Sequence, residues 1–385
     1  LTDSSQNSEF CDKYFAGIKL DLSKVLFIFS YNDYSKLDPI LADRIQRVKF
    51  KNLSKLDKVE IVRKHLLPEI LNIVGFNTED IVFPTEVIEF IIDNYTYEGG
   101  VRKLKEKLFE IIREINLRYL LGEMEIWNSK QKNTKHKKSK KNKKCKKLIN
   151  NKNQKDFPIY VTIEMIENFF SDKPKIIYKK IAERPYVGLV NGLFATVMGV
   201  GGLTIIETFK TPTDSKMSLK LTGQQGDVMK ESMQVAKTIA WNLIPNNIKQ
   251  TIIEDTSNFG IHIHCPEAST PKDGPSAGTA ITLAIVSLLC NIPVKNTIAL
   301  TGEIDLNGSV HAIGGLESKI TGAKKAGVKV ILCPEQNREN LEIIKSKENT
   351  PIDDSIEIIM VNNIWEVLDI CLVNNNIDFN RYNVV

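Results

Sequence analysis

The chain has 385 residues, of which 42% are hydrophobic, and a formal net charge of +5. This length and composition predict a globular protein with two or three domains, each able to bury a core. The longest uncharged apolar run, residues 280–290, is too short to cross a bilayer, so we expect no membrane insertion. The six cysteines are scattered, which argues against a disulfide framework and favours a reducing compartment.

The net positive charge of the chain comes from one segment. Residues 129–155 contain thirteen lysines and no acidic residue, so they contribute +13 and the rest of the chain carries −8. Because this segment has almost no apolar side chains, burial cannot offset the entropy of ordering it, and we predict that it is disordered. A lysine run can also bind nucleic acid or an anionic surface, and that alternative stays open.

The first part of the chain, residues 1–50, has the pattern of an α/β subdomain. Residues 25–30 form a continuous apolar run, which is typical of a buried parallel strand. Asn32 follows at the predicted strand end, and Arg44 comes later, at the end of the segment 37–44. No G-x-x-x-x-G-K-S/T loop occurs in the chain, so the usual phosphate cradle is not among these residues.

Three stretches after this part have apolar residues at helical spacing. They predict helices over 56–71, 86–94 and 101–121, with Arg102 near the start of the third. Residues 157–170 predict a strand and a short helix that complete the same domain beyond the lysine-rich segment.

The rest of the chain predicts a mixed domain of strands and helices. Alternating or continuous apolar runs predict the strands, and apolar stripes predict the helices. The predicted strands are 186–197, 203–208, 261–265, 298–300, 328–333 and 356–361, and the predicted helices are 227–243, 280–289, 320–326 and 365–372.

Ser276 lies in the most informative segment, Pro-Lys-Asp-Gly-Pro-Ser-Ala-Gly at residues 271–278. This turn, rich in glycine and proline, opens the apolar helix over 280–289. Free backbone N–H groups at the positive end of a helix dipole can hold the oxyanion of an acyl-transfer intermediate. Taken alone, a serine in this position is more often an ordinary helix cap.

Lys319 is the candidate base for such a serine. It follows Gly314-Gly315-Leu316-Glu317-Ser318 and heads the predicted helix over 320–326. A lysine acts as a base only when it is neutral, which costs roughly 4 kcal/mol near pH 7.4 for an ordinary side chain. The apolar neighbours Ile313 and Ile320 suggest burial, which lowers that cost. Taken alone, the lysine is more often a solvated helix residue.

Three segments resemble, in order and spacing, the catalytic motifs of the Lon family of ATP-dependent serine proteases, which use a Ser–Lys dyad. They are residues 271–278, residues 301–304 (Thr-Gly-Glu-Ile) and residues 314–319. The resemblance covers nearly the whole chain except about 129–155. It implies that Ser276 is the nucleophile, that Lys319 is the general base and that Thr301 orients the lysine through a hydrogen bond.

The resemblance also implies a domain organisation of the α+β and α/β classes. Residues 1–50 would end an AAA+ α/β nucleotide-binding subdomain. Residues 51–178 would form the helical AAA+ lid with the disordered insert 129–155, and residues 179–385 would form an α+β Lon-type protease domain.

ATP and Mg²⁺ are the implied cofactors, bound mainly by parts of the family's ATPase that come before this sequence. Asn32 fits sensor 1, Arg44 fits the arginine finger and Arg102 fits sensor 2. Because Arg44 would act on the nucleotide of a neighbouring subunit, the resemblance implies a homohexamer.

The implied function is an ATP-dependent endopeptidase that degrades unfolded or damaged proteins, and DNA binding is a further expectation. Two alternatives remain: an ATP-driven chaperone with a silent protease site, and a nucleic-acid-binding ATPase that uses the lysine run. The Lys/Asn-rich insert suggests an AT-rich eukaryotic source and hence the mitochondrial matrix, with a bacterial cytoplasm as the alternative.

Other polar residues have competing interpretations. His262 and His264 face the same side of a predicted strand. We favour structural hydrogen bonding over a metal site for them, because no further potential ligand lies at a spacing typical of metal sites. A His–Asp–Ser triad is a rival mechanism, but no histidine lies in a motif that places it against Ser276. Asp273 either fixes the turn or holds Lys319 protonated.

Overall fold

The chain divides, in a computed structural model, into two compact units, Leu1–Lys51 and Asn52–Val385. The structure describes residues 3, 6–14, 17–31, 34–48, 50, 52–121, 158–196, 199–255, 257–266, 272–347, 350–374 and 377–381. The predicted disordered insert, residues 129–155, lies outside the described residues, and so does Asn32.

The unit Leu1–Lys51 has little regular structure in its described part. Strands β1 (Phe10–Cys11) and β2 (Lys19–Leu20) pair antiparallel. Helix α1 (Pro39–Arg44) begins after Asp38, whose carboxylate accepts hydrogen bonds from the N–H groups of the first turn. This is an ordinary N-cap, and proline at the first helical position fits it because its missing N–H is not needed there.

The apolar run at residues 25–30 does not form the predicted strand. Leu26 and Ile28 are 83% and 85% exposed. A buried parallel strand needs hydrogen-bonding neighbours and covered faces, and no described strand pairs with this run. The strand prediction for these residues is therefore wrong.

The helical domain, described over residues 52–121 and 158–170, contains the three predicted helices around one hydrophobic core. The first is a single helical stretch with a wider π turn, Val62–Leu66, in its middle. The π turn comes just before Pro68, which has no N–H and whose ring would clash with a carbonyl one turn earlier. The elements are α2 (Lys55–Ile61), α3 (Leu67–Val74), β3 (Ile81–Val82), α4 (Thr85–Tyr95), α5 (Arg102–Leu120), β4 (Ile159–Tyr160) and α6 (Ile163–Phe169).

The sheet domain, residues 179–381, is built on a seven-stranded sheet with the order β13-β12-β9-β5-β6-β8-β7. Four of its six strand pairs are parallel, and β6 is antiparallel to both of its neighbours. Its strands are β5 (Leu189–Ala195), β6 (Gly201–Pro212), β7 (Leu219–Thr222), β8 (Phe259–His264), β9 (Ile298–Leu300), β12 (Val330–Pro334) and β13 (Glu357–Val361). A separate antiparallel pair comprises β10 (Glu303–Ile304) and β11 (Val310–His311).

Helices cover both faces of this sheet, because successive strand residues point to opposite sides. Ile298 and Leu300 of β9 belong to the core beneath one set of helices, and Ala299 between them belongs to the core on the other face. The first face carries α7 (Asp227–Leu243), α8 (Asn246–Glu254), α9 (Gly278–Cys290) and α12 (Ile364–Cys371), and the second carries α10 (Leu316–Ala326) and α11 (Arg338–Lys345).

The mixed α/β architecture confirms the predicted fold class. Strand β7 and helices α8 and α11 were not predicted from the sequence, because elements of four, nine and eight residues give only short patterns. The three-part division at residues 50 and 178 stays a prediction. Among the residues that the structure describes, no helix combines the length and apolarity needed to cross a membrane.

Candidate active site

Ser276 lies where a tight turn enters helix α9. Gly274 has φ +114°, a conformation that favours glycine, and residues Pro275–Ala277 form a 3-10 turn before the α-helix. The Asp273 carboxylate accepts hydrogen bonds from the N–H groups of Gly274 (2.9 Å) and Met229 (3.0 Å). Asp273 thus ties the turn to the first turn of α7, which supports its turn-fixing interpretation.

The end of strand β9 is tied to the start of α9 by reciprocal backbone bonds. The N–H of Gly302 donates to the carbonyl of Ser276 (2.9 Å), and the N–H of Thr279 donates to the carbonyl of Gly302 (3.1 Å). Glycine is needed at position 302, because a Cβ there would lie 2.5 Å from Val310 and 2.7 Å from the Thr279 hydroxyl. The motif of residues 301–304 therefore fixes the position of the nucleophile's backbone.

Thr301 links the backbone of Ser276 to Lys319. The Lys319 amine donates to the Thr301 hydroxyl (2.9 Å), and that hydroxyl donates to the carbonyl of Ser276 (3.2 Å). Thr301 and Lys319 are only 1% and 3% exposed. Within the described residues the Ser276 hydroxyl itself makes no hydrogen bond, so the predicted residues are brought together through Thr301 and not by a direct serine–lysine bond.

Burial lowers the pKa of the Lys319 amine to about 8. The cause is desolvation, because the charged form loses its hydration in the protein interior. With this pKa an appreciable fraction of the amine is neutral at pH 7 to 8, whereas an ordinary lysine is almost entirely protonated. The site therefore contains a buried amine that can accept a proton near physiological pH.

Helix α10 holds Lys319 by lying directly on strand β6. At the crossing, a Cβ on Gly201 would overlap the backbone carbonyl of Ser318, and one on Gly322 would overlap the backbone of Gly201. Gly315, with φ +71°, makes the sharp turn into the helix. This role of Gly201 and Gly322 was not predicted from the sequence. The available signal was Gly201 next to the predicted strand 203–208, because a glycine in a strand often marks a close backbone approach.

The two histidines of β8 have a structural role. The Thr222 hydroxyl is 2.9 Å from Nε2 of His262 and 2.7 Å from Nδ1 of His264. Burial, and then the charges of Lys220 and His264, lower the pKa of His262 below its ordinary value. The shared hydrogen bond supports the structural interpretation. No described group of three or more His, Cys, Asp or Glu side chains has the arrangement of a metal site.

Arg44 and Arg102, which were predicted to act on nucleotide, both lie near carboxylates. Arg44 pairs with Asp3 (3.1 Å) within the unit Leu1–Lys51. Arg102 begins α5, with its side chain 92% exposed and its guanidinium 3.6 Å from Glu106. Asn32 lies outside the described residues, so the proposed nucleotide roles stay predictions.

Two family models match the chain. Residues 160–374 match the Lon protease (S16) C-terminal proteolytic domain, and residues 73–129 match the Lon protease AAA+ ATPase lid domain. The first match covers more than half of the chain and contains Ser276, Thr301 and Lys319. The fold and the matched domain define the class of the protein as a serine peptidase.

Relatives named Lon protease match along almost the whole chain. A Lon protease homolog of Acanthamoeba polyphaga mimivirus is 36% identical over 412 residues, which cover 99% of this chain and 40% of the relative. The Lon protease of Campylobacter jejuni is 37% identical over 382 residues, which cover 97% of this chain and 43% of the relative. The chain belongs to the Lon protease family, and it spans less than half the length of these relatives.

These relatives also bear on the expected location. They come from bacteria and a virus, among them Aquifex aeolicus, whose Lon protease is 33% identical over 382 residues. None of them supports the predicted mitochondrial matrix, and the bacterial relatives are consistent with the bacterial alternative.

Proposed function

We propose that this chain carries the peptidase site of an ATP-dependent endopeptidase that cleaves unfolded protein with a Ser276–Lys319 dyad. The main observation behind the proposal is that the Lys319 amine is buried and has a lowered pKa. Its amine is 3% exposed, its pKa is lowered to about 8, and it donates a hydrogen bond to Thr301. Burying a lysine is costly and uncommon, and among the described residues this amine has no carboxylate partner. A buried amine of this kind beside a serine turn is a strong sign of function.

The proposed reaction has two acyl-transfer steps. Ser276 Oγ attacks the carbonyl carbon of the peptide bond while the neutral Lys319 amine takes the hydroxyl proton. Collapse of the tetrahedral intermediate breaks the C–N bond, and Lys319 returns the proton to the leaving amine. A water molecule, deprotonated by Lys319, then attacks the acyl-enzyme ester on Ser276. This releases the acid product, and the proton on Lys319 returns to the Ser276 hydroxyl.

The backbone at the entrance of α9 would stabilise the oxyanion of this reaction. The free N–H groups of a helix start carry partial positive charge and point along the helix axis. The Asp273 carboxylate occupies the N–H of Gly274, so the donors we propose are those of the 3-10 turn that contains Ser276. The reciprocal bonds at Gly302 keep this turn in place during the reaction.

ATP and Mg²⁺ remain part of the proposal, and when bound they would supply energy for unfolding and moving substrate. Arg102 fits a phosphate-sensing role because its side chain is 92% exposed and its guanidinium is 3.6 Å from Glu106, a loose ion pair. Arg44 would have to leave Asp3 to reach a neighbouring subunit's nucleotide. We propose Asn32 as sensor 1 and a homohexamer as the assembly, because the arginine finger acts between subunits. DNA binding by the lysine-rich segment 129–155 is a separate, additional proposal.

The test uses the full-length protein with Ser276→Ala. We expect this variant to lose peptide cleavage and unfolded-protein degradation while its ATPase activity persists. Cleavage should be measured with a fluorogenic peptide and with an unfolded protein, each with and without ATP. Peptide cleavage by Ser276→Ala above about 1% of wild type would contradict the nucleophile assignment, since loss of a catalytic serine costs several orders of magnitude.

The same measurements separate the two alternative functions. An ATP-driven chaperone with a silent protease site predicts no peptide cleavage in the wild type. A nucleic-acid-binding ATPase predicts salt-dependent DNA binding that disappears when residues 129–155 are deleted. Such binding can coexist with proteolysis, whereas a silent wild-type site cannot.

A further inference from the structure

We propose that Asp93, in the helical domain, is a positioning residue for Lys319 and acts through helix α10. The inference rests on the proposed dyad and adds a residue that lies far from it in the sequence. Helix α10 carries Lys319 near its start and Lys325 near its end. The end of the helix contacts the helical domain directly, and its start is linked to that domain through Gly199 and Lys347. The helical domain can therefore influence the position of the base.

The end of α10 is held by an ion-pair network. Lys325 Nζ lies 2.7 Å from one carboxylate oxygen of Asp93, and Lys55 Nζ lies 2.8 Å from the other. Lys55 also pairs with Glu89 at 3.0 Å. Burial raises the pKa of the Asp93 carboxyl, but the hydrogen bonds from Lys325 and Lys55 outweigh it and hold the pKa below its ordinary value. Asp93 is therefore charged and shared between the two domains.

The connection between the two domains strengthens the same contact. The N–H of Ile176 donates to the carbonyl of Asn94 (2.8 Å), next to Asp93. The N–H of Ile181 donates to the carbonyl of Ala326 (3.2 Å), next to Lys325. Between these two bonds, the Tyr178 ring lies 4.7 Å from the Lys325 ammonium, within cation–π distance. Residues 176–181 thus join the end of α4 to the end of α10.

The start of α10 is linked to the helical domain indirectly, through Gly199 and Lys347. The Ser318 hydroxyl donates to the carbonyl of Gly199 (2.9 Å), and Gly199 packs closely against the side chain of Asn52. Glu317 pairs with Lys347 (2.6 Å), whose charge also helps lower the pKa of Asp57 after the hydrogen bonds from Ser54. Lys319 lies between these contacts and the Asp93 network.

Helix α10 behaves as a short rod, about 16 Å long for its 11 residues. Tilting it away from β6 would lengthen the bond from Lys319 to Thr301 and admit water to the amine. Burial alone accounts for the lowered pKa of Lys319, so hydration would raise it and leave less neutral base. The other charged groups of the helix are already paired: Glu317 with Lys347, Lys324 with Asp353 and Lys325 with Asp93.

The experiment compares pH–rate profiles for peptide cleavage by the full-length protein at saturating ATP. Asp93→Asn and Lys325→Met should each shift the apparent pKa of the active base upward by about 0.5 unit, because a partly hydrated lysine moves towards its ordinary value. The activity at pH 7 should fall about threefold, in kcat and not in KM. Lys325→Arg keeps the ion pair and should retain the wild-type profile.

Lys324→Met is the matched control, because it removes the neighbouring ion pair of the same helix to Asp353, within the sheet domain. It should leave the profile unshifted. Equal shifts in Lys324→Met and Lys325→Met, or no shift in either Asp93→Asn or Lys325→Met, would overturn the positioning role. If Asp93→Asn does not fold, Lys325→Met decides alone. Ser276→Ala and Lys319→Arg test the dyad separately. Both should be inactive whether or not the Asp93 and Lys325 variants shift the pH–rate profile.

Discussion

The two ends of helix α10 contain lysines in opposite situations. Lys319, at the start, is buried with a hydroxyl as its partner, and its pKa is lowered to about 8. Lys325, near the end, is partly exposed and pairs with the carboxylate of Asp93. One helix therefore holds a lysine that can lose its proton and another that serves as a charged link between domains. The difference lies in burial and partner, not in residue type.

The largest effect is expected when residue 319 keeps its positive charge but can no longer accept a proton. Lys319→Arg should lower peptide cleavage by about 1,000-fold or more, because arginine cannot give up its proton at working pH. Lys325→Arg makes the same chemical change at the other end and should keep near-wild-type cleavage. Substantial activity in Lys319→Arg would show that the lysine is structural and that another group is the base.

Thr301→Val tests whether the hydroxyl partner of Lys319 orients the base; Lys325 pairs with a carboxylate instead. Valine keeps the shape of the side chain but removes the hydroxyl that joins Lys319 to the Ser276 backbone. Cleavage should fall about 30-fold, the effect expected for losing one orienting hydrogen bond at a catalytic group. The kcat for a fluorogenic peptide measures this, and an unchanged kcat would mean that the hydroxyl does not orient the base.

Lys319→Met should stabilise the protein at pH 7 while it removes activity. The native pKa of Lys319, about 8, lies below the value of about 10.4 in the unfolded chain. The unfolded state therefore binds the proton more tightly between these values. The resulting loss in the free energy of unfolding is fully present below pH 8 and decreases as the pH rises towards 10.4. After subtracting the contribution of the lost hydrogen bond to Thr301, we expect the free energy of unfolding to increase by about 2 kcal/mol at pH 7.

Denaturant unfolding at pH 7 and pH 10 measures this gain, which should shrink at the higher pH. Lys325→Met is the control, because removing a paired lysine should not stabilise the fold. Destabilisation by Lys319→Met at pH 7 would show that the buried lysine contributes net stability, contrary to its proposed role.

The smallest effect is expected from deleting residues 129–155. The helical domain has a continuous core on both sides of this segment, with Ile115 before it and Ile159 after it. Peptide cleavage and protein degradation should stay within about twofold of wild type, since shortening a loop changes closure entropy only slightly. Loss of protein degradation with intact peptide cleavage would instead show that the segment handles substrate.

Much of the sheet domain could be predicted from its sequence, because the local pattern and the tertiary environment agree. Helix α7 was predicted over 227–243 and strand β9 over 298–300, and both have these bounds in the structure. Each carries apolar residues that face a core formed by the same domain. The apolar run at 25–30 has equally strong local character but no described strand beside it, so local pattern alone gave the wrong result.

The site was only partly predictable for a related reason. The resemblance implied a hydrogen bond between Thr301 and Lys319, but not the bond from the Thr301 hydroxyl to the carbonyl of Ser276. The hydroxyl of Thr301 connects the other two because α9 and α10 lie on opposite faces of the sheet and meet at the end of β9. The Asp93–Lys325 pair joins residues 232 positions apart, and no local pattern predicts such a contact.

The pH dependence of kcat/KM for peptide cleavage by the full-length protein tests the central claim most directly. It reports the pKa of the essential base in the free enzyme. Burial of Lys319 predicts that activity rises with pH through a single ionisation with a midpoint of about 8. The ATPase rate over the same range is the control for effects on the ATPase. A midpoint near 6.5, the ordinary value of histidine, or no dependence between pH 6 and about 9, would contradict the assignment of Lys319 as the base.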